Sequence, residues 1–245
     1  MDSRFISAVA FYGAKAGVLG GLVGEVQEVL ARHCGEWFRP YSLEQVHATL
    51  IALNGVRDPA TGTIVNEYFL EHAGAAVEMD LPRVMRILAS HFAAPLAVRF
   101  GGWGADEPVP FRSQGKHLYE RGFSVQGRAF VLAGWPALAL AGDGRPLDRL
   151  RRDMNAANVL HKYHRGDADV DDDLYLVVGH HDGAPAGALE RAAAAVRDRL
   201  AADPVELTIG LADVRIVAAD SHTLAPPLFS GGIPVDAQTL LALMG

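Results

Sequence analysis

Cysteine is nearly absent from this chain: Cys34 is the one such residue among 245. A single thiol forms no internal disulfide, which removes the cross-linked secreted scaffolds and makes a reducing, cytoplasmic location the expectation. Flanked by His33 and Gly35, with no second cysteine and no evident activating base, Cys34 reads as a structural thiol. Positive charge is also short. Lys and Arg number 22 against 29 Asp and Glu, a formal net charge of −7, so no global positive field exists to hold long double-stranded nucleic acid by its backbone. A small anion would need a local cluster. No apolar run approaches the length of a membrane span and no charged-then-apolar leader opens the sequence, so a membrane is not an expected partner. Apolar side chains, by contrast, are plentiful: at 50% of residues they can bury a sizeable core, as one domain or two compact lobes.

Residues 4–12 are rich in strand formers and stop at Gly13, predicting a first strand. Val18, Leu19, Leu22, Val23, Val26, Val29 and Leu30 recur at helical spacing to about His33. A strand through His47 follows. Asp80 caps a predicted helix carrying Val84, Ile87, Leu88 and Phe92, and Pro95 ends it before the strand 96–100. The second half repeats this order. Residues 123–135 read as a strand; Leu147, Leu150, Met154, Ala157 and His161 share a helix face; 173–179 is a strand; 186–201 is an alanine-rich helix; and 205–217 is one long strand. Gly101 to Arg121, rich in Gly and Pro, reads as a lobe connection or active-site flap.

The stretch Gln45-Val-His-Ala-Thr-Leu-Ile-Ala-Leu53 carries the chemistry. Side chains alternate along a strand, so His47 and Thr49 project from one face while Val46, Ala48 and Leu50 point to the other. An imidazole that exchanges protons near neutral pH and a hydroxyl that bonds a phosphoryl oxygen make half of a phosphoester site. A strand–helix–strand opening followed by Val-His-Ala-Thr-Leu-Ile-Ala-Leu resembles the two-histidine (LigT-like) phosphoesterase superfamily. The resemblance implies an α+β fold of two pseudo-symmetric lobes with antiparallel sheets around a central cleft. It makes residues 1–245 a single bilobal domain, with lobes of about 1–105 and 120–245 that can exchange strands. It further implies cofactor- and metal-independent hydrolysis of a cyclic phosphate or phosphodiester on a nucleotide or short RNA end. One histidine acts as base and the other as acid, while hydroxyls hold the phosphate. On that pattern His47 and Thr49 match the first of two His-x-Thr/Ser motifs.

The second motif departs from the family. Aligned with it, Tyr175-Leu-Val-Val-Gly179 puts tyrosine where histidine belongs and valine where the hydroxyl belongs. Tyr175 can serve as a general acid but is a poor base at neutral pH. His180 or His181, just past this strand, is the other candidate proton carrier. A non-catalytic or repurposed member that binds a nucleotide or small anion is therefore the alternative, and an unrelated α+β scaffold with His47 in its core is a third reading. Lys116, Tyr119, Arg121 and Arg128 form a basic and aromatic cluster suited to phosphate or base contacts. His161-Lys-Tyr-His164 reads as a cationic helix end and Ser221-His-Thr-Leu224 as a surface loop. The run Asp167, Asp169, Asp171, Asp172 and Asp173 lacks the Gly and terminal Glu of a calcium loop and reads as a solvated acidic loop. Gly101-Gly-Trp-Gly104 is too short for a phosphate-loop fingerprint.

Overall fold

Where hydrophobic periodicity is strong, the chain forms the expected elements, and turn residues set their ends. The computed structural model describes residues 4–15, 17–74 and 76–244. The first half comprises β1 (Phe5–Ala10), α1 (Val18–Cys34), β2 (Phe38–Pro40), β3 (Ala48–Ala52), β4 (Gly55–Arg57), β5 (Ile64–Asn66), α2 (Glu67–Ala73), α3 (Leu81–His91) and β6 (Leu96–Phe100). The second comprises α4 (Leu118–Gly122), β7 (Phe123–Gln126), β8 (Ala129–Pro136), α5 (Ala137–Ala141), α6 (Pro146–Asp153), β9 (Leu174–His181), α7 (Ala186–Ala202), β10 (Val205–Ile209), β11 (Val214–Ala219), β12 (Phe229–Gly232) and α8 (Ala237–Leu243). Asp80 caps α3, its Oδ1 accepting the Arg83 N–H at 2.9 Å. Among the described residues no helix is long and apolar enough to cross a membrane.

All recorded strand pairs are antiparallel, and one sheet runs β10-β6-β8-β9-β3-β1-β11-β12, with β2 on β9 and β7 on β8. The fold is α+β. β3 and β9, the two motif strands, are neighbours at the centre, flanked by β1 and β8. Strands cross between the halves of the sequence: β6 lies between β8 and β10, while β11 and β12 lie beside β1. One face of β1 (Ile6, Ala8, Ala10) joins the main core with Leu22, Val23 and Val26 of α1 and Val196 and Leu200 of α7. Phe5 and Ser7, on its other face, border a cavity.

Three expected elements differ. Residues 123–135 form a hairpin, β7 and β8, because Gly127 turns the chain at φ +57°. The segment 205–217 is two strands in different parts of the sheet, β10 on β6 and β11 on β1, separated by Gly210 and a short 3₁₀ turn. The helix expected to reach His161 stops at Asp153, continues as one 3₁₀ turn over Met154–Ala157, and ends where Asn158 adopts φ +59°. His161 therefore lies in the loop that leads to β9. The connection 101–121 is only partly a surface flap: Trp103 and Leu118 pack against Ala133 and Trp135 in a small core of their own.

Candidate functional site

β3 and β9 pair at Ala48 and Leu176, both buried in the core. Continuing that antiparallel register sets Thr49 opposite Tyr175 and His47 opposite Val177, on the face away from α1 and α7. β3 carries a bulge at Leu50, since Ala8 pairs with Ile51 but Val9 with Thr49. Beyond this point β3 and β9 part, and α6 fills the gap with Arg151. Its Nε donates to Leu50 O (3.2 Å), Nη2 to Thr49 O (3.4 Å) and Asp173 O (3.0 Å), and Nη1 to Asp171 O (2.7 Å). One fully buried guanidinium satisfies carbonyls that the sheet leaves unpaired.

A cavity of about 230 Å³ opens on this face. Thr49, Tyr175, Arg121, Asp173, His161 and Asp171 line it, together with Tyr68, Lys162 and Tyr163. Among the described residues, larger hollows of about 660 Å³ beside α1 and β12 and about 470 Å³ beside Trp135 are bordered by neither β3 nor β9.

The acidic run is solvated only in its first part: Asp167 and Asp169 are exposed, whereas Asp171, Asp172 and Asp173 are buried. Desolvation of three carboxylates in sequence is offset by a partner for each. Asp171 Oδ2 accepts from His161 Nε2 at 2.6 Å, and its Oδ1 lies 3.4 Å from Arg151 Nη1. Burial pushes the Asp171 carboxyl upward, but the His161 hydrogen bond and Arg151 prevail and hold it below the usual carboxylate range. Asp172 Oδ1 accepts the first N–H groups of α6, from Leu147 (2.8 Å) and Asp148 (2.9 Å). Asp173 Oδ2 accepts from Arg121 Nη2 at 2.7 Å. Burial and the neighbouring Asp171 charge push the Asp173 carboxyl up to about 6, against the pull of Arg121 and Arg151.

Of the residues singled out in the sequence, Thr49, Tyr175 and Arg121 come together in the cavity. Tyr175 is half-buried, its hydroxyl donates to Gln126 Oε1 at 3.3 Å, and burial pushes its pKa up to about 12. Arg121 is 4% exposed, and its Nε has no partner among the described residues. His47 sits one residue before β3 and does not line the cavity. Its Nδ1–H donates to Gln45 O at 2.6 Å and its ring lies 5.6 Å from that of Tyr12. Burial lowers its pKa, against the hydrogen bond to Gln45 O, and Lys15 lowers it further.

The other candidates lie elsewhere. His180 is five positions along β9 from Tyr175, about 16 Å at strand rise, where it faces Tyr41 and Asp182. His181 has both ring nitrogens occupied, by Gly127 O and the Ala184 N–H. Arg128 binds Asp182 and His181 O at the hairpin end. Tyr119 donates to Asp198 of α7 at 2.6 Å, and Lys116 lies in an exposed turn closed by Ser113. The basic cluster of the sequence is thus dispersed, because α4 and the β7–β8 hairpin turn its members in different directions.

Sequence reasoning missed His161, Asp171, Asp173 and Arg151. The available signal was three consecutive aspartates directly before an apolar strand, an arrangement that takes them into the protein with the strand. His222, read as a surface-loop residue, also borders the cavity and stands edge-on to Phe5, with ring centres 6.1 Å apart. Among the described residues no cluster of three or more His, Cys, Asp or Glu side chains has the geometry of a metal site. Compared with protein-family models, with curated proteins and with solved structures, this chain matches none.

Proposed function

We propose that this protein binds a small phosphorylated molecule, a cyclic nucleotide or a terminal nucleotide phosphate, in the cavity between β3 and β9, as a bilobal relative of the two-histidine phosphoesterases. One observation carries the reading: the register Ala48–Leu176 sets Thr49 beside Tyr175 on a cavity that also holds Arg121. The two hydroxyls and the guanidinium are donors of the kind phosphoryl oxygens accept, and Asp173 engages Arg121 through Nη2 alone. Tyr68, Tyr163 and His222 offer ring faces and edges on which a base can rest. Binding is favoured over hydrolysis through His47, since that imidazole lies outside the cavity and the register sets it opposite Val177, which carries no proton to exchange. Hydrolysis remains the second reading, supported by the phenol that β9 supplies as a proton donor.

Calorimetric titration with the four 2′,3′-cyclic nucleotides, nucleoside monophosphates, unphosphorylated nucleosides and inorganic phosphate tests this. The phosphorylated nucleosides should bind and the unphosphorylated ones should not. Thr49→Val should weaken binding about tenfold or more, the worth of a hydrogen bond to a charged group. His180→Ala and Arg128→Ala should leave it unchanged. Equal affinity for nucleosides, or none for any phosphorylated ligand, removes the proposal.

A further inference from the structure

We propose that His161, oriented by Asp171, is the proton-accepting group of the central cavity and takes the base role that His47, off the cavity, cannot fill, with Tyr175 of β9 as the proton donor. This rests on the reading of the cavity as a phosphate-ligand site and adds that the ligand is opened there.

The tautomer follows from the partners. Asp171 Oδ2, 2.6 Å from His161 Nε2, belongs to a carboxylate and can only accept, so Nε2 carries the hydrogen and Nδ1 keeps its lone pair. His161 Nδ1 has no hydrogen-bond partner among the described residues and is not among the sealed, unpartnered atoms, whereas the side chain borders the cavity. Of the other candidate histidines, His181 has both nitrogens occupied, His47 and His180 lie off the cavity, and His222 borders it with no carboxylate on its ring among the described residues. Asp171 is itself fixed. Its N–H donates to Asp148 Oδ1 at 2.9 Å, its carbonyl accepts from Arg151 at 2.7 Å, and its second carboxylate oxygen faces the same guanidinium. A buried acid that aims an imidazole at open space is the orienter of a general base.

The groups facing His161 are Asp171, Arg151 and the rings of His164 and Tyr163. Burial, with Arg151 and His164 beside it, pushes the His161 pKa down to about 4 against the Asp171 bond, so the ring is neutral at pH 7 and free to take a proton. With a 2′,3′-cyclic phosphate, a water oxygen bonds to phosphorus as the bond from phosphorus to one ribose oxygen breaks. His161 Nδ1 takes the water proton and the Tyr175 hydroxyl protonates the departing ribose oxygen. The phenolate then recovers its proton from His161 through solvent. Water is the sole co-reactant, and the product is a phosphomonoester.

The test follows each 2′,3′-cyclic nucleotide by phosphorus NMR while calorimetry reports its binding, for wild type, His161→Gln and Asp171→Asn. Wild type should bind and open the ring. His161→Gln should bind within about threefold and lose on the order of 10²–10⁴-fold in turnover. Asp171→Asn should lose turnover with little change in KM. The wild-type rate should be level from pH 5 to 8 and fall toward pH 4. Binding without ring opening by wild type, or unchanged turnover in His161→Gln, overturns the role of His161 while leaving the binding site standing. Absence of binding by wild type overturns both. Should the glutamine variant fail to fold, ¹⁵N spectra of wild-type histidines decide: a hydrogen on Nε2 of His161 and a shift of Nδ1 on adding ligand are expected, and a hydrogen on Nδ1 sinks the proposal.

Discussion

At the residue scale the buried charges around Arg151 dominate. Each aspartate of the 171–173 run is desolvated, yet the three differ because their partners differ: an imidazole and a guanidinium for Asp171, two backbone N–H groups for Asp172, a second guanidinium for Asp173. Asp172 has the simplest surroundings. Burial pushes its carboxyl up to about 6, opposed by the Leu147 and Asp148 N–H bonds and by Arg151 and reinforced by the Asp148 charge. A carboxyl that holds its proton more tightly when folded contributes stability fully below about pH 4, and that contribution is lost as pH rises through 6. Asp172→Asn keeps the Oδ1 acceptor and does not titrate. Relative to this variant, wild type should lose about 2 kcal/mol of stability between pH 4 and pH 7, at 1.36 kcal/mol per tenfold change in proton affinity. His161 and His164, whose pKa values are lowered, act in the opposite direction but are present in both proteins. Urea titrations at four pH values measure the difference, and a pH-independent gap between the two proteins would refute the assignment.

At the element scale, close approaches decide where strands and helices can lie. Gly101 follows β6 at φ +78°, a Cβ there would run into Leu200 O, and the next residue, Gly102, donates its N–H to the same carbonyl at 2.9 Å. The end of β6 is thereby fastened to the last turns of α7. Gly179 plays a similar part in β9, where a Cβ would stand 2.6 Å from Arg39 O and drive β2 from the sheet. Gly101→Ala combines overpacking with an unfavourable backbone conformation, so it should cost about 2–4 kcal/mol. Denaturant midpoints check this, and a cost under 1 kcal/mol would mean that β6 and α7 can separate freely. The effect on cavity ligands should be small, because neither residue borders it.

At the scale of the whole molecule, the exchange of strands matters most. β6 from the first half is held between β8 and β10, and β11 and β12 from the second complete the sheet beside β1. Neither half buries its apolar strands alone. Fragments 1–105 and 120–245, expressed separately, should each lack a cooperative thermal transition, and mixing them should restore one. An isolated fragment with a sharp transition and dispersed NMR signals would disprove this interdependence. Strand exchange also carries β3 and β9 to the middle of the sheet, where their outward face can be walled by loops from both halves.

Local periodicity determined much of this from sequence alone. α1, α3, α7, β6 and β9 lie close to their expected places, since a 3.6-residue or alternating pattern specifies an amphipathic element without reference to the rest of the chain. Alternation along β3 likewise separates Thr49 from the core-facing Ala48, but its place opposite Tyr175 follows only from the register of β3 on β9. Tertiary structure decided the rest. The split of 205–217 at Gly210 sends β10 and β11 to different neighbours, and only strand order across the whole sheet selects them. The burial of Asp171, Asp172 and Asp173 was likewise invisible locally, for an acidic run is soluble unless counter-groups meet it. Those counter-groups come from elsewhere in the chain: Arg121 lies 52 residues from Asp173, and Arg151 joins the aspartate loop to Thr49 O across 102 residues. Burying a charge is favourable only when its partner arrives with it, and that condition is met in the folded chain rather than along the sequence.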